Sequence, residues 1–175
     1  VEKDALQILA EKGWNIVRLR LYNNPGKGRG DGTYYCHENY QTVDDLLDLA
    51  KRAKEKGMAI QFTFHYSDYW SNGATQYIPY DWQLAIEGKS EEEAVNILES
   101  YMYSYTKDIM ERLDAQGTVP EFVSFGNEMH AGILFPYGAA SSSNWPYLAR
   151  FLNAAYRAVK EVSPATQVIL HLDDA

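Results

Sequence analysis

Phe122-Val123-Ser124-Phe125-Gly126-Asn127-Glu128 is an apolar, strand-like run that finishes in a side-chain amide and a carboxylate. A carboxylate at the end of a strand, with an amide just before it, is what acid–base chemistry at the mouth of an α/β barrel requires. The letters Gly-Asn-Glu alone are weak, since they turn up by chance in many chains. Three other strand-like stretches also finish in polar groups: Arg18-Leu19-Arg20, Phe64-His65-Tyr66-Ser67-Asp68 and His171-Leu172-Asp173-Asp174. The repetition carries the argument.

Outward from that run, strand and helix patterns alternate. Ile16 to Tyr22, Met58 to His65, Phe122 to Gly126 and Gln167 to Leu172 read as strands. Asp4 to Lys12 reads as the end of a helix stopped by Gly13. Thr42 is an N-cap, with Asp45 at the third helical position; Val43, Leu46, Leu47, Ala50 and Ala53 form one apolar stripe, and Gly57 is the stop. Ser90 and Glu93 form a capping box that opens a long helix ending at Gly117. Asn144 with Pro146 opens another, closed by Ser163-Pro164. Strand–helix–strand alternation without hairpin turns predicts parallel βαβ units.

Period two then sorts the strand faces. Val17, Leu19 and Leu21 oppose Ile16, Arg18 and Arg20; Ile60, Phe62 and Phe64 oppose Gln61, Thr63 and His65. Val123 and Phe125 oppose Phe122, Ser124 and Glu128; Val168, Leu170 and Leu172 oppose Gln167, His171 and Asp173. Each strand has one apolar face for covering helices and one face that turns polar towards its C-terminal end. An open doubly wound sheet needs both faces apolar. A closed barrel gathers inward polar groups at its C-terminal rim, where barrel active sites sit. The fold class is therefore α/β, a (β/α)8 TIM barrel.

Composition sets outer limits. With 175 residues, 46% hydrophobic and 23% charged, the chain suits a single globular domain. A net charge of −8 without a long basic run makes nucleic acid and anionic membrane poor partner candidates, and neither is expected. No apolar run approaches the roughly 18 residues of a membrane span, and Val1-Glu2-Lys3-Asp4 is no signal peptide. Cys36 is the single cysteine, so no internal disulfide forms. The 14 Tyr, 6 Phe and 4 Trp, many in loops, suit a sugar or peptide cleft, though others fill core and crevices. No His-Glu-x-x-His spacing occurs, and neither a metal nor a cofactor is expected. His37 and His130 belong to no pattern, and Trp145, beside a helix start, divides between packing and stacking.

Three segments carry a family likeness: Val17-Arg18-Leu19-Arg20-Leu21-Tyr22-Asn23-Asn24-Pro25, His65-Tyr66-Ser67-Asp68-Tyr69-Trp70, and Gly126-Asn127-Glu128-Met129-His130-Ala131-Gly132-Ile133-Leu134-Phe135-Pro136-Tyr137-Gly138. The spacing of Trp70, Gln76, Pro79 and Trp82, and the late Ile169-Leu170-His171-Leu172, fit as well. The chain resembles glycoside hydrolase family 53, the endo-β-1,4-galactanases of a large clan of retaining (β/α)8 glycosidases. It departs at Ser71-Asn72-Gly73, where family members more often carry Ala-Asp-Pro.

The resemblance implies roles. Glu128 resembles the acid/base, and Asn127 the amide that hydrogen-bonds the sugar 2-hydroxyl. In the strand register Asn127 points off the inward face, so it must twist over the strand end. Arg20 resembles the clan arginine that holds the nucleophile ionised and oriented, while Arg18 is expected to be structural, paired with an acid inside the barrel. His65 resembles the barrel-mouth histidine next to the reacting sugar. Asp68, Trp70, Tyr66, Trp82 and His171 are expected as substrate-binding residues. The expected partner is β-1,4-linked galactan, met outside the cell or in the periplasm.

A (β/α)8 barrel needs about 250 residues and eight strands, and four strands are legible. The family's nucleophile resembles a glutamate beyond Ala175, so the segment reads as strands 2 to 5, with an edge-paired dimer as a possible state of the isolated piece. Two other readings stay open from the residues: a carbohydrate-binding but catalytically incomplete barrel fragment, and an unrelated doubly wound α/β module.

Overall fold

The computed structural model describes residues 3–26 and 40–173; Cys36, His37 and Asp174, named above, lie outside them. Four strands, β1 (Ile16–Leu21), β2 (Ala59–Phe64), β3 (Phe122–Phe125) and β6 (Gln167–Leu170), form one sheet in the order β1-β2-β3-β6. Every pairing is parallel: Leu19 lies opposite Phe62, Phe62 opposite Val123, and Val123 opposite Val168. The strands are joined by α2 (Val43–Glu55), then α3 (Tyr80–Ile86) with α4 (Glu91–Ala115), then α5 (Trp145–Val162), while α1 (Ala5–Glu11) precedes β1. A short antiparallel ribbon, β4 (Gly132–Ile133) with β5 (Gly138–Ala139), sits in the loop after β3.

The helix ends follow their residues. Thr42 Oγ1 accepts from Asp45 N–H at 3.2 Å, and Asp44 and Asp45 in the first turn face the positive end of the α2 dipole. The expected capping box opens α4: Ser90 and Glu93 bond each other's backbone N–H groups, and Glu91, Glu92 and Glu93 fill the first turn. Gly57 and Gly117, at φ +71° and +75°, close α2 and α4 in the left-handed conformation that costs glycine nothing. Neither α3 nor the β4–β5 ribbon was expected from the sequence.

The helices cover the face predicted for them. Leu19, Leu21, Ile60, Phe62, Phe64, Val123 and Phe125 share one buried core with Leu46 and Ala50 of α2, Leu98, Met102 and Ile109 of α4, and Phe151 and Val159 of α5. On the other face polar side chains bond one another across strands. Arg18 Nε donates to Thr63 Oγ1 at 3.1 Å, and Gln61 Nε2 donates to Ser124 Oγ at 3.0 Å. One greasy face under helices and one polar face bonded to itself describe an arc of barrel wall, with the polar side as lumen.

Candidate active site

The site forms where β2, β3 and β6 run out into loops at one rim. Gly126 continues the ladder, its N–H donating to Phe64 O at 2.8 Å, and then the chain bends. Gly126 has φ +69° and Glu128 φ +50°, so the carboxylate-bearing residue stands in the left-handed region. The bend is pinned to β6: Glu128 N–H donates to His171 Nδ1 at 3.3 Å and Met129 N–H to His171 O at 2.8 Å. Glu128 is half-buried and Asn127 fully buried.

Asn127 does twist over the strand end. Its Oδ1 accepts from Arg18 Nη2 at 2.6 Å, and its Nδ2 donates to Ser71 O at 2.8 Å. Both contacts hold the amide on the lumen side. His171 Nδ1 lies 3.4 Å from Arg18 Nη2 and 3.1 Å from Asn127 Oδ1. With the Glu128 N–H and the arginine both offering hydrogens, Nδ1 is the acceptor and the proton rests on Nε2. The 3.1 Å approach to the amide oxygen is then a packing contact between two acceptors.

Of the two arginines, Arg18 is the one bonded to Asn127, while Arg20 lies beside Trp70. Arg18 is the one that reaches the site: its fork spans Thr63 and Asn127, and the Glu128 charge favours its protonation, although burial and Arg20 pull its pKa down. Its hydrogen-bond partners among the described residues are a hydroxyl, an amide and His171 rather than an acid. Arg20, two residues on, lies over the Trp70 ring at 4.8 Å from its centroid. A rim arginine with an aromatic beside it stacks instead of reaching inward.

His65 ends β2, buried. Ser71 N–H donates to its Nδ1 at 3.2 Å and Ser71 Oγ lies 2.9 Å from the same atom, so Nδ1 accepts and Nε2 carries the proton. Nε2 is buried without a protein hydrogen bond. Burial, reinforced by Arg18, Arg20 and His171, lowers the His65 pKa from 6.5 to about 3. His65 is therefore a neutral donor at any working pH. Trp70 sits 5.4 Å from the His65 ring and keeps 37% of its surface exposed.

Three expected substrate contacts are corrected. Tyr66 is buried, its ring stacked on Phe64 at 5.5 Å and its hydroxyl bonded to Thr106 Oγ1 at 2.8 Å, because φ +51° turns it into the helix layer. Trp82, on α3, is buried against Tyr101 and Tyr105 at 5.7 and 5.8 Å and belongs to the core. Asp68 is buried, with Oδ1 accepting from Asn24 N–H at 2.9 Å and Oδ2 from Tyr80 N–H at 2.7 Å. It fastens two loops, and burial raises its pKa from 3.8 to about 6 against the pull of those N–H groups.

The sequence marked Gln76 and Ser71-Asn72-Gly73 by their place in the family likeness but gave no role to them or to His130. Gln76 Nε2 donates to Asn72 O, Asn127 O and Glu128 O. His130 Nδ1 meets Asp173 Oδ1 at 2.5 Å, and its ring lies against Gly73. The signals in the sequence were the Trp70, Gln76 spacing and the unusual Ser71-Asn72-Gly73, neither of which says what the loop touches.

Amide, carboxylate, buried neutral imidazole and exposed tryptophan converge at the carboxyl rim of a parallel arc. Together they define the class of β/α-barrel glycosidases. The chain belongs to glycosyl hydrolase family 53, whose family model matches residues 1–175. It is 36% identical over 169 residues to an arabinogalactan endo-β-1,4-galactanase of Thermothelomyces thermophilus, covering 95% of this chain and 44% of the relative. A Humicola insolens enzyme of the same name is 37% identical over 175 residues, with 99% and 46% covered. The GH53 catalytic domain of Ignisphaera aggregans superposes with a TM-score of 0.82 at 34% identity, over 98% of this chain and 44% of that one. A structure from work on two fungal β-1,4-galactanases gives 0.81 at 34%, over 99% and 46%. The chain thus spans less than half the length of these relatives, and its fold is a partial (β/α)8 barrel.

Proposed function

We propose that the chain forms the acid/base side of a retaining endo-β-1,4-galactanase. The observation that supports this best is Glu128 at the rim, preceded by an amide fixed between Arg18 and Ser71. In a retaining mechanism two carboxyl groups lie about 5–5.5 Å apart. Glu128 gives its proton to the glycosidic oxygen as a second carboxylate, supplied by the rest of the full-length protein, bonds to the anomeric carbon. Glu128 then takes a proton from the water that releases the sugar. Asn127, with its oxygen engaged by Arg18, offers its remaining N–H to the sugar 2-hydroxyl. His65, buried behind Trp70, shapes the rim rather than reaching sugar, and Trp70 with Arg20 beside it forms the floor of a subsite. His171 acts through Glu128 and Asn127 rather than on sugar.

The substrate is β-1,4-linked galactan, as the names of the relatives suggest, met outside the cell or in the periplasm. Taken alone, residues 1–175 present two parallel edges, β1 and β6, with Leu170 and Leu172 about half exposed, and the isolated piece pairs by those edges. The deciding experiment is Glu128→Ala in the full-length protein that carries this chain. Turnover of galactan falls by orders of magnitude, and azide restores turnover of a substrate with a good leaving group. Unchanged galactan turnover would end the assignment.

A further inference from the structure

We infer that Gln76 is a positioning residue that sets the direction of Glu128, an inference that rests on the acid/base reading above. The Gln76 side chain is buried at 2% exposure. Its Nε2 donates to Asn127 O at 2.8 Å, Asn72 O at 2.9 Å and Glu128 O at 3.2 Å. Two hydrogens thus serve three carbonyls, and two of those carbonyls belong to the catalytic pair itself. The bend at Gly126 and Glu128, with φ +69° and +50°, turns the oxygens of Asn127 and Glu128 to one side. Neighbouring carbonyls that point the same way repel, and buried ones need a donor. Gln76 is that donor. The plane of the peptide between Asn127 and Glu128 fixes where the Glu128 Cβ points, so holding that carbonyl pair holds the carboxylate.

The same loop holds the neighbouring groups. Ser71 O fixes the Asn127 amide at 2.8 Å, and Ser71 fixes the His65 tautomer. The loop is itself moored, since Gln76 O accepts from Phe135 N–H at 2.7 Å and Asn72 Oδ1 accepts from Ala74 and Thr75 N–H. A chain segment that touches acid, amide and imidazole from behind serves the chemistry through geometry alone.

The test uses the full-length protein with Gln76→Met, which keeps volume and removes the donors, and Gln76→Glu, which keeps shape and replaces the donors with oxygens. Each is assayed on galactan and on a dinitrophenyl β-galactobioside, whose departure needs no acid. A misdirected acid costs kcat/KM on galactan about tenfold to a hundredfold, the scale of a 1 Å misplacement, and leaves kcat/KM on the dinitrophenyl substrate unchanged. Gln76→Glu gives the same split should Gln76→Met fail to fold. Equal losses on both substrates would reduce Gln76 to a fold residue and overturn the inference, as would no loss on galactan. Glu128→Gln runs in parallel: if it keeps galactan turnover, the acid/base reading falls and takes this inference with it. If Glu128→Gln loses that turnover while the Gln76 variants keep it, only the positioning role falls.

Discussion

The imidazole of His130 packs against Gly73, so close that a Cβ there would fall 2.0 Å from Cε1 and 2.6 Å from Nε2. The ring is also held at Asp173 by its Nδ1, so it has no easy retreat. Three loops, one after each of β2, β3 and β6, thus meet through one histidine. Gly73→Ala must expel the ring, and stability should fall by about 1–3 kcal/mol, the range for overpacking. Denaturant unfolding checks this. In the double variant with His130→Ala most of that loss should vanish, since the clash has lost its partner.

Arg18 and Arg20 differ by which one touches the amide. Arg18→Lys removes a fork that bonds Thr63 and Asn127 together, and a single ammonium cannot replace both. Turnover on galactan should drop by about tenfold or more, the loss expected of an unmoored polar group. Arg20→Lys disturbs the stack on Trp70 and should act mainly on KM. A larger kcat loss for Arg20→Lys would reverse the two assignments.

Trp70 separates from its buried neighbours in the same way. Trp70→Ala should weaken galacto-oligosaccharide binding by about 1–3 kcal/mol, the worth of a stacked aromatic. Trp82→Ala should instead cost about 3–5 kcal/mol of stability, with binding by the folded fraction intact. Calorimetric titration and denaturant unfolding on both variants distinguish a platform from a core residue.

How much of this was written in the sequence depends on what each signal encodes. Strands and caps were legible because period two and Ser-x-x-Glu report local geometry, and the four expected strands pair in parallel order. The ribbon Gly132–Ile133 with Gly138–Ala139 was invisible because two residues per strand show no period. Tyr66 and Trp82 were misassigned since an aromatic in or beside a loop looks the same whether it faces sugar or core. Their burial is decided by φ at Tyr66 and by α3 folding back onto α4, both long-range outcomes. Glu128, Asn127, His65 and Trp70 lie at one rim, and Arg18 rather than Arg20 bonds Asn127, a choice that strand register alone cannot make.

Acid should expose His65. Its pKa falls from 6.5 in the open chain to about 3 in the fold, so only the unfolded state takes up a proton between those values. Its stabilising contribution is complete above pH about 6.5 and is lost as pH falls towards 3. Asp68 works in the opposite sense: raised from 3.8 to about 6, it contributes most below its unfolded pKa and loses that contribution as pH rises through about 6. Asp68→Asn should therefore steepen the loss of stability between pH 6 and 4, and His65→Gln should flatten it. Imidazole nitrogen shifts by NMR should show the Nε2–H tautomer persisting to below pH 4; protonation near pH 6.5 would contradict the burial described here.

Glu128 occupies a backbone conformation that favours glycine, with φ +50°. A non-glycine residue there costs on the order of 1 kcal/mol, so Glu128→Gly should raise the unfolding free energy by about that amount while abolishing galactan turnover. Selection for heat tolerance alone, without a sugar to cleave, would then favour glycine at this position. If Glu128 is the acid/base proposed above, heat tolerance and turnover pull in opposite directions at one φ angle, and any effort to toughen the protein has to screen for both at once.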